Sequence, residues 1–124
     1  MSIFVDSDIL IDVSRGRLTD LLHRWGALGQ SDEPILYSPV SVAEVWSGAR
    51  SEESEKLSNL LSALICVPVT EETGRHAASY LRAYRKSHGL GIADALIAAA
   101  ASLTGAALWT RNRKHYPMKD LTFY

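Results

Sequence analysis

The chain has 124 residues, 47% of them apolar, with 13 lysines and arginines against 14 acids and a net charge of −1. That balance excludes a protein drawn to nucleic acid by overall charge and leaves any such binding to local basic patches. A length of about one domain predicts a single domain over residues 1–124, and the lone cysteine, Cys66, excludes an internal disulfide.

No charged segment followed by a long apolar run opens the chain, so no secretory signal is predicted and a cytoplasmic location is expected. The weakly charged stretch from Ser87 to Thr110 contains His88, Asp94 and several glycines. It reads as folded core, not as a membrane span.

Ile3-Phe4-Val5 has the β-branched and aromatic composition of a short buried strand, and it runs straight into Asp6. Ile9 to Val13 are predicted helical, with Asp8 as N-cap and Asp12 solvated, up to Gly16. Leu18, Leu21, Leu22, Trp25 and Leu28 recur at helical spacing and stop at Gly29. Ile35-Leu36-Tyr37 is a second strand. Pro39 and Ser41 open a helix striped by Val42, Val45, Trp46 and Ala49, and Ser41 and Glu44 have capping-box spacing. Leu57, Leu60, Leu61 and Leu64 make the next helix amphipathic, and Ile65-Cys66-Val67 is a third strand closed by Pro68.

Thr70 caps a helix reaching about Lys86, with acids at its start and bases at its end as the helix dipole favours. Ile92 to Leu103 is apolar all round, which predicts a buried helix. Ala107-Leu108-Trp109 is a fourth strand and Leu121 to Tyr124 an edge strand. Trp25, Trp46 and Tyr80 fall on apolar stripes and are expected in the core. Short strands alternating with helices predict the α/β class, with a mostly parallel sheet covered by helices on both faces.

Asp94 is the only acid between Ser87 and Thr110, near the start of the most apolar helix. A buried carboxylate there needs compensation, from helix N–H groups or from a cation. Asp6, Glu44 and Asp94 each fall at a strand end or helix start, positions that gather on one edge of a parallel sheet. Acids so gathered repel unless a cation joins them, and hard oxygen ligands suit Mg2+, with Mn2+ as a substitute.

Phe4-Val5-Asp6-Ser7-Asp8-Ile9-Leu10-Ile11-Asp12, Ser41-Val42-Ala43-Glu44-Val45, Ile92-Ala93-Asp94-Ala95-Leu96-Ile97-Ala98-Ala99 and Thr110-Arg111-Asn112 together resemble the PIN-domain ribonucleases. More narrowly, the chain is similar to the VapC toxins of toxin–antitoxin pairs, from about residue 3 to its C-terminus. The resemblance implies a Rossmann-like three-layer fold and a Mg2+-dependent endoribonuclease that leaves a 5′-phosphate and a 3′-hydroxyl. It also implies a homodimer silenced by a small cognate antitoxin that binds the early helices, around Leu18–Leu28 and Trp46–Leu61.

Matched by motif, Asp6, Glu44 and Asp94 are the family's three catalytic acids, with Asp6 and Asp94 as the main metal ligands. Thr110 and Asn112 match its supporting polar pair. His115 stands where many members carry a fourth acid, with Asp8 as a partial replacement and Asp120 as a weaker one. Arg111 and Arg113 are expected to contact RNA phosphate. The missing acid leaves open a PIN domain that only binds RNA or a partner. A phospho-receiver module is a remote alternative, since Cys66-Val67-Pro68 lacks the acid that a receiver needs there.

Overall fold

A computed structural model describes all residues, 1–124. Strand β1 (Ile3–Val5) leads into α1 (Ser7–Ser14) and α2 (Thr19–Gly29), then β2 (Ile35–Tyr37) and α3 (Pro39–Ser47). A 3-10 turn at Ser51–Glu53 precedes α4 (Ser54–Ser62) and β3 (Ile65–Cys66). The long α5 (Glu71–His88) and α6 (Ile92–Thr104) follow, then β4 (Ala107–Trp109), a 3-10 turn at Arg113–His115 and β5 (Thr122–Phe123).

The five strands form one parallel sheet in the order β3-β2-β1-β4-β5. β1 is central, with Ile3 opposite both Ile35 and Ala107, and Val5 opposite Trp109. A strand buried on both faces needs apolar side chains at every position, and Ile3, Phe4 and Val5 supply them. Phe4 and Leu108 point into a layer built with Ala77, Tyr80 and the alanines of α6. Ile3, Val5, Ala107 and Trp109 point the other way, into α1, α2 and α4. Helices therefore cover both faces in three layers, as the sequence predicts.

After β3 the chain crosses through α5 and α6 to the far side of β1, so the winding direction reverses between β1 and β4. Open α/β sheets carry their sites at the C-terminal strand ends beside such a reversal. A receiver module instead places its third strand beside its first; here β2 and β4 flank β1, which removes the receiver reading.

Several local expectations change. Asp6, not Asp8, caps α1, its Oδ1 accepting from the Ser7 N–H at 2.7 Å. Ser38 caps α3 through the Val40 N–H, with Pro39 in the first turn, so the Ser41–Glu44 capping box does not form. Asp12, expected in solvent, is 3% exposed. α6 is buried along its middle, but Ile92 at 64% and Leu103 at 41% exposure mark its two ends. β3 covers only Ile65 and Cys66, both exposed on the sheet edge. Thr70 does cap α5, and Gly89 and Gly105 end α5 and α6 in the left-handed conformation. No helix is long and apolar enough to cross a membrane.

Candidate acidic active site

Asp6 leaves β1 at the winding reversal, and its backbone N–H donates to the Trp109 carbonyl at 3.0 Å, binding the ends of β1 and β4 together. Asp6 is 7% exposed. Oδ2 accepts from the Thr110 hydroxyl and from the Tyr116 hydroxyl, each at 2.8 Å. The same Tyr116 hydroxyl lies 3.3 Å from Asp94 Oδ1, in the first turn of α6. Ser7, whose N–H caps onto Asp6, donates its hydroxyl to Glu44 Oε1 of α3 at 2.6 Å. Four separate segments thus place Asp6, Glu44 and Asp94 around two small hydroxyl bridges.

Asp94 feels the other two acids. Burial, then the charges of Asp6 and Glu44, push the Asp94 carboxyl above the usual carboxylate range, and His115 and the Tyr116 hydroxyl pull it partly back. Burial, then Asp6 and Asp94, drive the Tyr116 phenol far above the ordinary tyrosine value, so it stays a hydrogen-bond donor.

Asp8 lies one residue beyond the bridge. Its Oδ2 accepts from the Arg111 N–H at 3.0 Å and from Asn112 Nδ2 at 3.1 Å, while its buried Oδ1 has no partner. Burial and the neighbouring Asp6 raise its carboxyl from 3.8 to about 6. The Asn112 N–H donates to the Thr110 hydroxyl at 3.0 Å. Thr110, Arg111 and Asn112 are therefore pinned onto Asp6 and Asp8 together.

The donor set suits a hard divalent cation. It consists of carboxylates, one of them with a buried, unpartnered oxygen, at a point where mutual repulsion is already visible. The hydroxyls of Ser7 and Tyr116 hold the carboxylates apart, and no three acidic, histidine or cysteine side chains close into a ready coordination cage.

Comparison with known proteins agrees with this fold. The family model for the PIN domain matches residues 3–121. The chain belongs to the PIN domain family. Among curated relatives, Ribonuclease VapC10 of Mycobacterium tuberculosis is 38% identical over 117 residues, covering 94% of this chain and 86% of that protein. Ribonuclease VapC19 of the same organism is 34% identical over 115 residues, covering 92% and 91%. VapBC2 from Rickettsia felis, solved bound to a promoter DNA fragment, superposes with a TM-score of 0.84 at 21% identity, covering all of this chain and 98% of that one.

Within this PIN domain, the remaining predicted residues fall in different places. His115, in the 3-10 turn after β4, is close enough for its charge to act on Asp94. Asp120, the weaker stand-in for a fourth acid, accepts instead from Tyr80 and Ser102, at 2.6 and 2.8 Å. Ser102 is at the end of α6 opposite Asp94, so Asp120 is remote from the acids. The Arg111 guanidinium pairs with buried Asp12, which Arg17 also approaches at 3.9 Å. Arg113 donates to the Tyr124 carbonyl oxygen at 3.0 Å.

Tyr116 is the residue that sequence reading missed. It lies in the basic run Arg113-Lys114-His115-Tyr116-Pro117 and is 3% exposed. A tyrosine between a charged turn and a proline was the available signal, because a buried phenol must find an acceptor.

Proposed function

We propose that this PIN domain is a metal-dependent endoribonuclease and the toxin of a toxin–antitoxin pair. One observation carries the reading: a buried Asp6 coupled to Asp94 through the Tyr116 hydroxyl and to Glu44 through Ser7, at the C-terminal edge of the sheet. The names of its relatives, ribonucleases and VapBC complexes, support it.

In this reading Asp6 and Asp94 hold Mg2+, with Mn2+ as a substitute, and Glu44 completes the site. A cation held there would offset the charge of the acids and supply Lewis-acid chemistry to the scissile phosphate. A carboxylate offers about four lone-pair positions. On Asp6, Ser7, Thr110 and Tyr116 occupy three of them, which leaves Oδ1 one free position for the ligand. Ser7 holds one oxygen of Glu44 and leaves the other to orient the attacking water and accept its proton. Asp8 and Asn112 fix the Thr110 loop, and His115 moderates the charge on Asp94.

The antitoxin surface is assigned to a separate groove of ≈ 660 Å3 between α2 and α4, lined by Trp25, Leu28, Leu60 and Leu64 with Lys56 at its rim. Such a leucine-edged cleft suits an amphipathic segment of a small partner protein. A homodimer in the cytoplasm completes the proposal.

The test is cleavage of a mixed small-RNA pool by purified protein, in Mg2+ and in chelator, with Asp94→Asn beside it. Cleavage that needs Mg2+ and falls by at least about a hundredfold in the variant is expected. A folded, antitoxin-free protein that leaves RNA intact in both Mg2+ and Mn2+ would return the chain to the binding-only reading.

A further inference from the structure

Beside the acids lies a second basin, ≈ 580 Å3 in volume, between the start of α2 and the C-terminal ends of β4 and β5. Arg24 and Asp20 stand on one side, and Thr110, Arg111, Arg113 and Tyr124 on the other. The Arg24 guanidinium carbon lies 4.9 Å from the centre of the Trp109 ring and 4.8 Å from that of Tyr124. That of Arg113 lies 5.1 Å from the centre of the Phe123 ring.

Neither Arg24 nor Arg113 pairs with an acidic side chain, and Arg113 spends one N–H on the Tyr124 oxygen at 3.0 Å. Aromatic faces orient a guanidinium but do not neutralise it, so its N–H edge stays available for a phosphate. The other arginines near this edge are spent. Arg111 and Arg17 pair with Asp12, and Arg15 and Arg50 pair with Glu53. Asp20 is the one acidic side chain lining the basin, against the two guanidinium groups of Arg24, which makes no hydrogen bond or ion pair, and Arg113, which spends one N–H on the Tyr124 oxygen. The basin also joins the acidic site directly, because Thr110 lines it and donates to Asp6.

We propose that this basin is a phosphodiester subsite. It takes the phosphate of a nucleotide flanking the scissile bond, with Arg24 and Arg113 donating to the phosphate oxygens. The proposal rests on the ribonuclease reading and reassigns one residue of it. Arg111 becomes a strut onto Asp12, and Arg24, from the other end of the chain, takes its place at the phosphate.

The test is binding of a short fluorescein-labelled oligouridine in chelator across a KCl series, beside the RNA cleavage assay. Arg24→Gln and Arg113→Gln should each flatten the slope of log affinity against log salt by about 0.7, the single-strand value for one lost phosphate contact. Together they should weaken binding about tenfold or more. Arg24→Lys and Arg113→Lys should keep the slope, and Arg75→Gln, on an exposed face of α5, should change nothing. Inorganic phosphate added to nitrogen-labelled wild type should shift the Nε–H signals of Arg24 and Arg113, a result that stands even where a glutamine variant misfolds.

Cleavage by wild type with unchanged salt slopes in both glutamine variants would sink the subsite alone. So would variants that bind RNA normally but lose the antitoxin, which would make the basin a protein contact. Wild type that neither cleaves nor binds the oligonucleotide would remove the ribonuclease reading and the subsite with it.

Discussion

The Tyr116 hydroxyl stands between two carboxylates that would otherwise face each other with no donor between them. Removing it as Tyr116→Phe should cost about 1–3 kcal/mol in chelator, the range for stripping a partner from a buried acceptor. Mg2+ should recover most of that loss, because a cation answers the same repulsion. Urea unfolding with and without Mg2+ measures it, and an equal loss in both would assign the ring a packing role only. Asp8 makes a second prediction. Its carboxyl titrates near 6 in the folded protein against 3.8 for the free side chain, so the native state holds that proton more tightly than the unfolded chain. Its contribution to stability is therefore fully present below about pH 4 and lost as pH rises through 6. In chelator the melting temperature of Asp8→Asn should fall less across this window than that of wild type; parallel curves would exclude Asp8 as the group responsible. That Asp94 would need a partner was legible in the sequence, since a lone acid in an apolar run needs compensation, and the structure brings it to Asp6 through the Tyr116 hydroxyl. The hydroxyl bridges were not legible, because Ser7 meets Glu44 only once α1 packs on α3, and Thr110 and Tyr116 meet Asp6 only once β1 and β4 are paired.

Helix α1 shows why a periodic pattern can be read on the wrong face. Asp8 and Asp12 are one turn apart, so they share a face, and both grip residue 111, through its N–H and its guanidinium respectively. Asp12 looked solvated because its partner is distant in sequence. The pair is asymmetric, as Asp12 is buried while the Arg111 side chain is about half exposed. Arg111→Met, which leaves a buried carboxylate with only Arg17 nearby, should destabilise by as much as about 3–5 kcal/mol. Asp12→Asn, which returns a guanidinium to water, should cost only about 1 kcal/mol. Denaturant midpoints would check the order, and equal costs would mean that Asp12 is not desolvated in solution. Strands β1, β2 and β4 were readable from composition because central strands of a parallel sheet are apolar throughout. The exact starts of α1 and α3 were not. Capping depends on which side chain meets the free N–H groups, and Asp6 and Ser38 win that competition over Asp8 and Ser41.

Across the whole molecule, the acidic site and the leucine-lined groove are built from different walls. The groove uses α2 and α4, whereas the acids come from the end of β1, the middle of α3 and the first turn of α6. A charge placed in the groove should therefore separate inhibition from chemistry. Leu60→Asp should abolish co-purification with the antitoxin and its inhibition while leaving RNA cleavage within about twofold, as expected of distant, independent sites. Loss of cleavage in a well-folded Leu60→Asp protein would mean that the two surfaces are coupled.

The hydrogen bonds from Thr110 and Tyr116 to Asp6 span 104 and 110 positions of the chain. During translation, Asp6 emerges among the first residues and waits for nearly the whole remaining polypeptide before its partners arrive. While β4 and Tyr116 are still inside the ribosome, only the Ser7 bridge to Glu44 can form, Asp6 has no hydroxyl donor and β1 lacks one of its two neighbours. The groove between α2 and α4, by contrast, is complete once β3 has been made. A growing chain thus completes this groove well before Asp6 can meet Thr110 and Tyr116, so on the toxin reading proposed above the inhibitor's surface would be ready before the acids are assembled.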